Sequence, residues 1–462
     1  MSGIKKDFLC SFTQYHIKKV TAVSYIVRIF TSLVQRYLPD PFVFAIILTI
    51  IVFALSNVLT PHSSLELLQM WGSGFWNLLG FTMQMVLVVV TGHALASTDL
   101  VRSFMAKLSS IPKTPAQGVA LVTFVGSVAC IINWGFGLII GAMLAREVAR
   151  SVAKSDYPLL IASAYIAFLT WHGGFSGSIP LLAATAGNPL EKTIGLIAIK
   201  DTLFTPMNLF ITLSLVVVLP ILTAKMLPKE SERKTIAPEL LKEDLITVQR
   251  TLPKDAPLAD RLEESRILAA IISLAGIVYL IFYFMAKGFK IDINTVNLLF
   301  MALGLLLHKT PMAYARAITM ATKSTAGILI QFPFYAGIQV LLEHSGLGGI
   351  ITDWFISVAN KDTFPLFAFL SSALINFAVP SGGGHWVVQG PFIMTAAQKI
   401  GADMGHSVMA IAYGEAWMNM AQPFWALPAL AIAGLGARDI MGYCIVALFF
   451  SSVIFISGLM FF

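Results

Sequence analysis

Charge is scarce in this sequence. Charged residues are 12% of the 462 positions, about half the ~25% usual for a soluble domain. Hydrophobic residues are 57% and the mean hydropathy is +0.80. Together these exclude a soluble multidomain protein. Cysteine is scarcer still: Cys10, Cys130 and Cys444 stand far apart, which excludes a disulfide framework and a thiolate metal site. Also missing are the phosphate-cradling G-x-x-x-x-G-K-[ST] loop, the H-E-x-x-H zinc motif and the G-x-S-x-G elbow. Ser176 lies in Gly-Phe-Ser-Gly, which does not match the last. The chain is therefore read as a non-enzyme without cofactor or metal. Lys5, Lys6, Lys18 and Lys19 precede no short apolar core with a small-residue cleavage site, so no cleaved signal peptide is read.

Long apolar runs are what the chain does have. Stretches near 42–59, 75–98, 203–225, 267–286, 295–308, 324–342 and 440–461 read as membrane spans. The reading is an all-α polytopic membrane protein in four parts. Residues 1–38 form a cytoplasmic tail ending in an amphipathic helix over 21–38 that lies on the membrane surface. Residues 39–224 are a first membrane half. Residues 225–266, with nine Lys/Arg and nine Asp/Glu, are a solvated cytosolic linker. Residues 267–462 are a second membrane half. In such a protein the net charge of +7 marks cytoplasmic loops rather than a nucleic-acid surface.

The loop charges orient the halves oppositely. Arg102, Lys107 and Lys113 place the loop at 99–114 inside, and Arg146, Arg150 and Lys154 mark the inside again. The loop at 60–70 has no Lys or Arg and reads as outside. In the second half His308, Lys309, Arg316 and Lys323 mark the inside, while 343–363, with only Lys361, reads as outside. Ala164-Tyr165 and Pro180 match Ala412-Tyr413 and Pro428 at a constant spacing. The expectation is two inverted-topology repeats.

Each half contains a break. Residues 116–149 and 364–400 hold apolar arms around Ile132-Asn133-Trp134-Gly135-Phe136-Gly137 and Ile375-Asn376 to Ser381-Gly382-Gly383-Gly384-His385. They read either as re-entrant hairpins or as pairs of spans. Residues 157–190 and 406–436 read as discontinuous helices, interrupted at Gly173 to Ser178 and at Asn419 to Pro423. Broken segments at corresponding places in two halves point to a transporter's mid-membrane site, because freed backbone groups need protein or a water-lined cavity.

The candidate binding residues are Asn133, Gly135, Gly137, Ser176 and Ser178 in the first half, and Asn376, Ser381, Gly382, Gly383, Gly384, His385, Asn419 and Gln422 in the second. Amides, hydroxyls and exposed helix-start N–H groups suit a small carboxylate. Close helix packing is the alternative use of the glycines. Glu415 lies in the apolar stretch Ala412 to Met418. An intramembrane carboxyl is costly and functional by default, and burial favours its protonated form. Glu415, His385 and His172 are the candidate ion-coupling residues, although each also has a purely structural reading. His93 reads as a satisfied helix residue.

The chain resembles the bacterial short-chain fatty acid transporter family, typified by the acetoacetate and butyrate carrier. The residues that carry the resemblance are Met70-Trp71-Gly72-Ser73-Gly74-Phe75-Trp76-Asn77, Thr91 to Ala96, Ile132 to Gly137, Phe175 to Ser178, Val379 to Trp386 and Gln422 to Pro428. The resemblance implies uptake of short-chain fatty acids across the bacterial inner membrane by a multi-pass secondary carrier coupled to H+ or Na+. It also implies kinship with ion transporters that have inverted repeats, move as elevators and form homodimers. The competing expectation is a cation/proton exchanger that uses Glu415.

Overall fold

A computed structural model describes residues 41–237, 253, 256–288, 291–376, 379–422, 424–426, 429–430 and 433–462. The tail, its expected amphipathic helix over 21–38, and the middle of the linker lie outside the described residues, as do Phe377 and Pro423.

The described chain is helical. The first half comprises α1 (Pro41–Leu59), α2 (Ser64–Gly74), α3 (Leu79–Ala96), α4 (Asp99–Leu108), α5 (Pro115–Ile132), α6 (Trp134–Ser151), α7 (Tyr157–Ile166), α8 (Ser178–Ala184), α9 (Glu191–Ile194) and α10 (Pro206–Lys225). The second comprises α11 (Leu258–Glu263), α12 (Arg266–Lys287), α13 (Ile293–His308), α14 (Pro311–Thr322), α15 (Ala326–Ser345), α16 (Leu347–Val358), α17 (Phe364–Asn376), α18 (Gly382–Ile400), α19 (Met404–Met418) and α20 (Ala437–Phe461). Among the described residues, 7 helical stretches are long and apolar enough to cross a membrane.

The helix starts follow local chemistry. Thr114 and Gln117 form a reciprocal capping box ahead of Pro115 at the start of α5. Thr205 and Pro206 do the same for α10 without the box. Asp156 caps α7 through the amide of Leu159 at 2.9 Å, and Asp403 caps α19 through His406 at 2.7 Å.

Three stretches read as loops hold helices. Residues 60–70 run into α2, 99–114 contain α4, and 343–363 contain α16. These helices are short, and α2 is begun by a Ser63–Glu66 capping box that hydropathy does not register. The linker is pinned at both ends. Lys234 donates its amide to Asp156 at 2.9 Å, and Glu264 accepts from Thr310 at 2.7 Å and from Arg316 at 3.2 Å.

The core lies where the broken segments meet. α5 and α6 fold back on each other with no room to spare: a Cβ on Gly137 would fall within 2.5 Å of the Cys130 amide. α17 packs equally tightly on α19, where a Cβ on Gly414 would collide with the Phe369 carbonyl. α17 has 13 residues, about 20 Å of helix, short of a ~30 Å hydrocarbon core. α12 lies at the periphery, with Ala269, Ser273 and Leu280 as its buried residues.

Candidate functional site

Both breaks are helix starts buried inside the protein. Asn133 ends α5 in an extended conformation and caps α6, its Oδ1 accepting from the Phe136 amide at 2.9 Å. Ser381 caps α18, with the Gly384 amide 3.5 Å from its Oγ. The first amides of each helix have no intrahelical acceptor, and the helix dipole turns a positive end toward each break.

The discontinuous helices lie against these starts. α7 runs into a 3-10 turn, Ala167–Gly173, which carries Trp171 and His172. α19 runs into a 3-10 turn, Asn419–Ala421. Trp171 and His172 stand between the two breaks. The Trp171 ring meets that of Trp134 at 5.5 Å, edge to face. A Cβ on Gly382 would sit 2.8 Å from Trp171 and 2.9 Å from His172. Gly382 is therefore the glycine that lets α18 begin against the His172 ring.

A buried hydrogen-bonded network fills the second break. His172 Nε2 lies 3.0 Å from Oε2 of Glu415, and both side chains are 0% exposed. Asn419 donates to Oε1 of Glu415 at 3.0 Å. Asn376 donates to the Glu415 carbonyl at 2.8 Å and to Asn419 Oδ1 at 3.0 Å. Gln422 donates to the Asn376 carbonyl at 3.2 Å. A buried charge without partners is costly; here both carboxyl oxygens are engaged. His385 is held separately. Ser372 commits its proton to the Ile411 carbonyl at 2.6 Å, so His385 Nε2 is the donor toward Ser372 at 2.7 Å and toward Gln389.

Several buried groups in this region have no partner among the described residues: Nδ2 of Asn133, Nε1 of Trp134 and Trp171, Oγ of Ser178, Nδ1 of His172 and Oδ1 of Asn376. Leaving a buried polar group unpaired costs about 1–3 kcal/mol. Three of these are N–H donors, on Asn133, Trp134 and Trp171, and an N–H donor is the group that a carboxylate oxygen accepts from.

The structure gathers Asn376, Ser381, Gly382, His385, Glu415, Asn419, Gln422 and His172 around one buried region. Ser176 braces the first break by accepting from the Trp134 amide at 2.8 Å. Other glycines serve packing. Gly135 faces the α3 backbone at Val88 and Val89, Gly137 faces Cys130, Gly383 faces Phe81 and Gly384 faces Tyr335. His93 is half-buried on α3.

Sequence reasoning missed Trp171, Ser372, Gln389 and Gly92. A Cβ on Gly92 would lie 2.5 Å from Asn133 Oδ1. Gln389 was legible as the i+4 neighbour of His385; Gly92 was not, since its partner is distant in sequence. The matched tyrosines are used reciprocally. Tyr165 donates to the Asn419 and Gln422 carbonyls at 2.9 and 3.1 Å. Tyr413 donates to Asn208 at 2.5 Å, and Asn208 donates to the Gly173 carbonyl at 3.1 Å.

A helical membrane protein with paired broken segments around a buried polar network has the architecture of a membrane transporter. The profile of the short chain fatty acid transporter family matches residues 22–462. A protein of Escherichia coli strain K12, provisionally named a short-chain fatty acid transporter, is 66% identical over 432 residues, spanning 94% of this chain and 98% of its own. A similarly named Haemophilus influenzae protein is 60% identical over 446 residues, spanning 95% and 100%. In fold, the YdaH transporter of Alcanivorax borkumensis is similar, with a TM-score of 0.55 at 18% identity over 92% of this chain and 97% of that one. The chain belongs to the short-chain fatty acid transporter family.

Proposed function

We propose that this protein is a secondary active carrier for uptake of short-chain monocarboxylates, of the acetoacetate and butyrate class, across the bacterial inner membrane, driven by protons. The observation that carries the reading is the His172–Glu415 contact at 3.0 Å. It joins the two halves at full burial, next to Gly382. A carboxyl and an imidazole in contact can exchange a proton without exposing a bare charge to the bilayer.

The substrate carboxylate would accept from Asn133 Nδ2 and the indole N–H groups of Trp134 and Trp171, with the first amides of α18 close by. A tail of two or three methylenes, at ~0.8 kcal/mol each, gives binding in the micromolar to millimolar range. The reciprocal use of Tyr165 and Tyr413 supports two repeats inserted in opposite directions.

The test is flux into proteoliposomes. Labelled butyrate should accumulate when an inward proton gradient is imposed without sodium. Accumulation that requires a sodium gradient assigns the coupling to Na+. Cation exchange without butyrate flux would instead favour a cation/proton exchanger, a reading that the buried Glu415 also supports.

A further inference from the structure

We infer that a cavity of about 540 Å³ beside the broken segments is the outer vestibule of the carrier, and that Phe81 is the gate between it and the site. The inference rests on the substrate chamber proposed above.

The cavity lies between the start of α3, the segment after α8 and the end of α15, with Asn77, Gln84, Asn188, Gln339 and Glu343 among its lining residues and Phe81 in its wall. Its volume is within the ~300–1,000 Å³ of ligand cavities. Glu343 is exposed and accepts from Gln339 at 3.0 Å, so the polar rim faces water, whereas Phe81 is buried. The neighbouring stretches 60–70, with no Lys or Arg, and 343–363, with only Lys361, are those read as outside.

The Phe81 ring closes the inner end. A Cβ on Gly383 would lie 2.6 Å from Phe81 Cζ and 3.4 Å from Met85. The ring therefore rests on the α18 backbone, held by Phe332 at 5.4 Å. One residue earlier, Gly382 faces Trp171 and His172. One aromatic ring thus stands between the vestibule and the first turn of α18. A phenylalanine can swing by a rotamer change without moving a helix, and Gly382 and Gly383 put no side chain of their own in its way.

The gate is tested in right-side-out vesicles with Cys10, Cys130 and Cys444 replaced by alanine and Ser381→Cys as the reporter. A membrane-impermeant methanethiosulfonate should react at least tenfold faster when Phe81→Ala is added, and butyrate should slow that reaction. Equal reaction rates with Phe81 and with alanine overturn the gate. Faster reaction that butyrate does not slow leaves the gate standing and removes the chamber assignment. A second variant needs no reporter: Phe81→Trp in the native background should slow butyrate uptake several-fold with little change in KM, and unchanged uptake in both Phe81→Trp and Phe81→Ala overturns the gate.

Discussion

Tyr165 donates its hydroxyl to the carbonyl oxygen of Asn419 at 2.9 Å, so a residue of the first half closes the broken backbone of the second. Tyr413 donates to Asn208 Oδ1, and Asn208, itself in the first half, donates to the Gly173 carbonyl. Irregular backbone inside a membrane survives only where protein satisfies it. Here the second break draws a donor from the first half, and the first break draws one from its own half, held by a tyrosine of the second. Tyr165→Phe should therefore destabilise the protein by about 1–3 kcal/mol, the cost of stranding buried acceptors. Thermal unfolding in detergent should show a clear drop in Tm, with a smaller drop for Tyr413→Phe, since Asn208 Oδ1 keeps its bond from Thr212 at 3.0 Å; no drop for Tyr165→Phe would mean that water replaces the hydroxyl.

Glu415→Gln keeps an acceptor and a donor in the network but cannot carry a proton. Gradient-driven accumulation of butyrate should be lost, while exchange of labelled for unlabelled butyrate persists. Accumulation with unchanged pH dependence would reduce Glu415 to a structural role.

Asn133→Asp separates capping from ligand recognition. Aspartate caps a helix about as well as asparagine, so α6 should keep its start. The unpaired Nδ2 donor becomes an acceptor that repels a carboxylate. The apparent KM for butyrate should rise about tenfold or more, equivalent to ~1.4 kcal/mol, with Tm little changed. Native KM in the variant would remove Asn133 from the anion site.

Gly382→Ala places a methyl 2.8 Å from Trp171 and 2.9 Å from His172. Overpacking costs about 1–3 kcal/mol, here borne by the two rings beside Glu415. Uptake should fall about tenfold or more while folded protein is still recovered, and wild-type uptake would show that the rings can yield.

The sidedness of the linker is read from loop charges. A cysteine replacing Leu245 should be labelled in inverted vesicles and protected in intact cells. Ready external labelling would sink the opposed insertion of the two halves.

The spans near 75–98, 203–225, 267–286, 324–342 and 440–461 were legible because an apolar run of spanning length has few other uses. By contrast, Ala45–Leu59 and Ile293–His308 form shorter apolar helices, and Pro115–Ile132 and Tyr157–Ala184 are themselves of spanning length. The helices from 64, 99 and 347 were not legible, since at 10 to 12 residues they are too short for a spanning apolar run. At the site, the Asn and Gly breaks and Glu415 stood out as residues that a bilayer penalises. What stayed hidden was which side chain answers which. His172 and Glu415 are 243 positions apart, and no spacing rule pairs them. The run of three glycines is uniform in sequence yet divided in space: Gly382 faces His172, Gly383 faces Phe81 and Gly384 faces Tyr335.

The second break holds one carboxyl among the described residues, Glu415. Under the proposed proton coupling, a cycle that carries one proton on Glu415 with one monocarboxylate would be electroneutral. Membrane voltage then does no work on the substrate. The ceiling on enrichment is the proton ratio alone, tenfold for each pH unit, or ~1.4 kcal/mol. A carrier of this design scavenges only as far as the acidity difference allows, and it runs backward when the internal acid exceeds that limit.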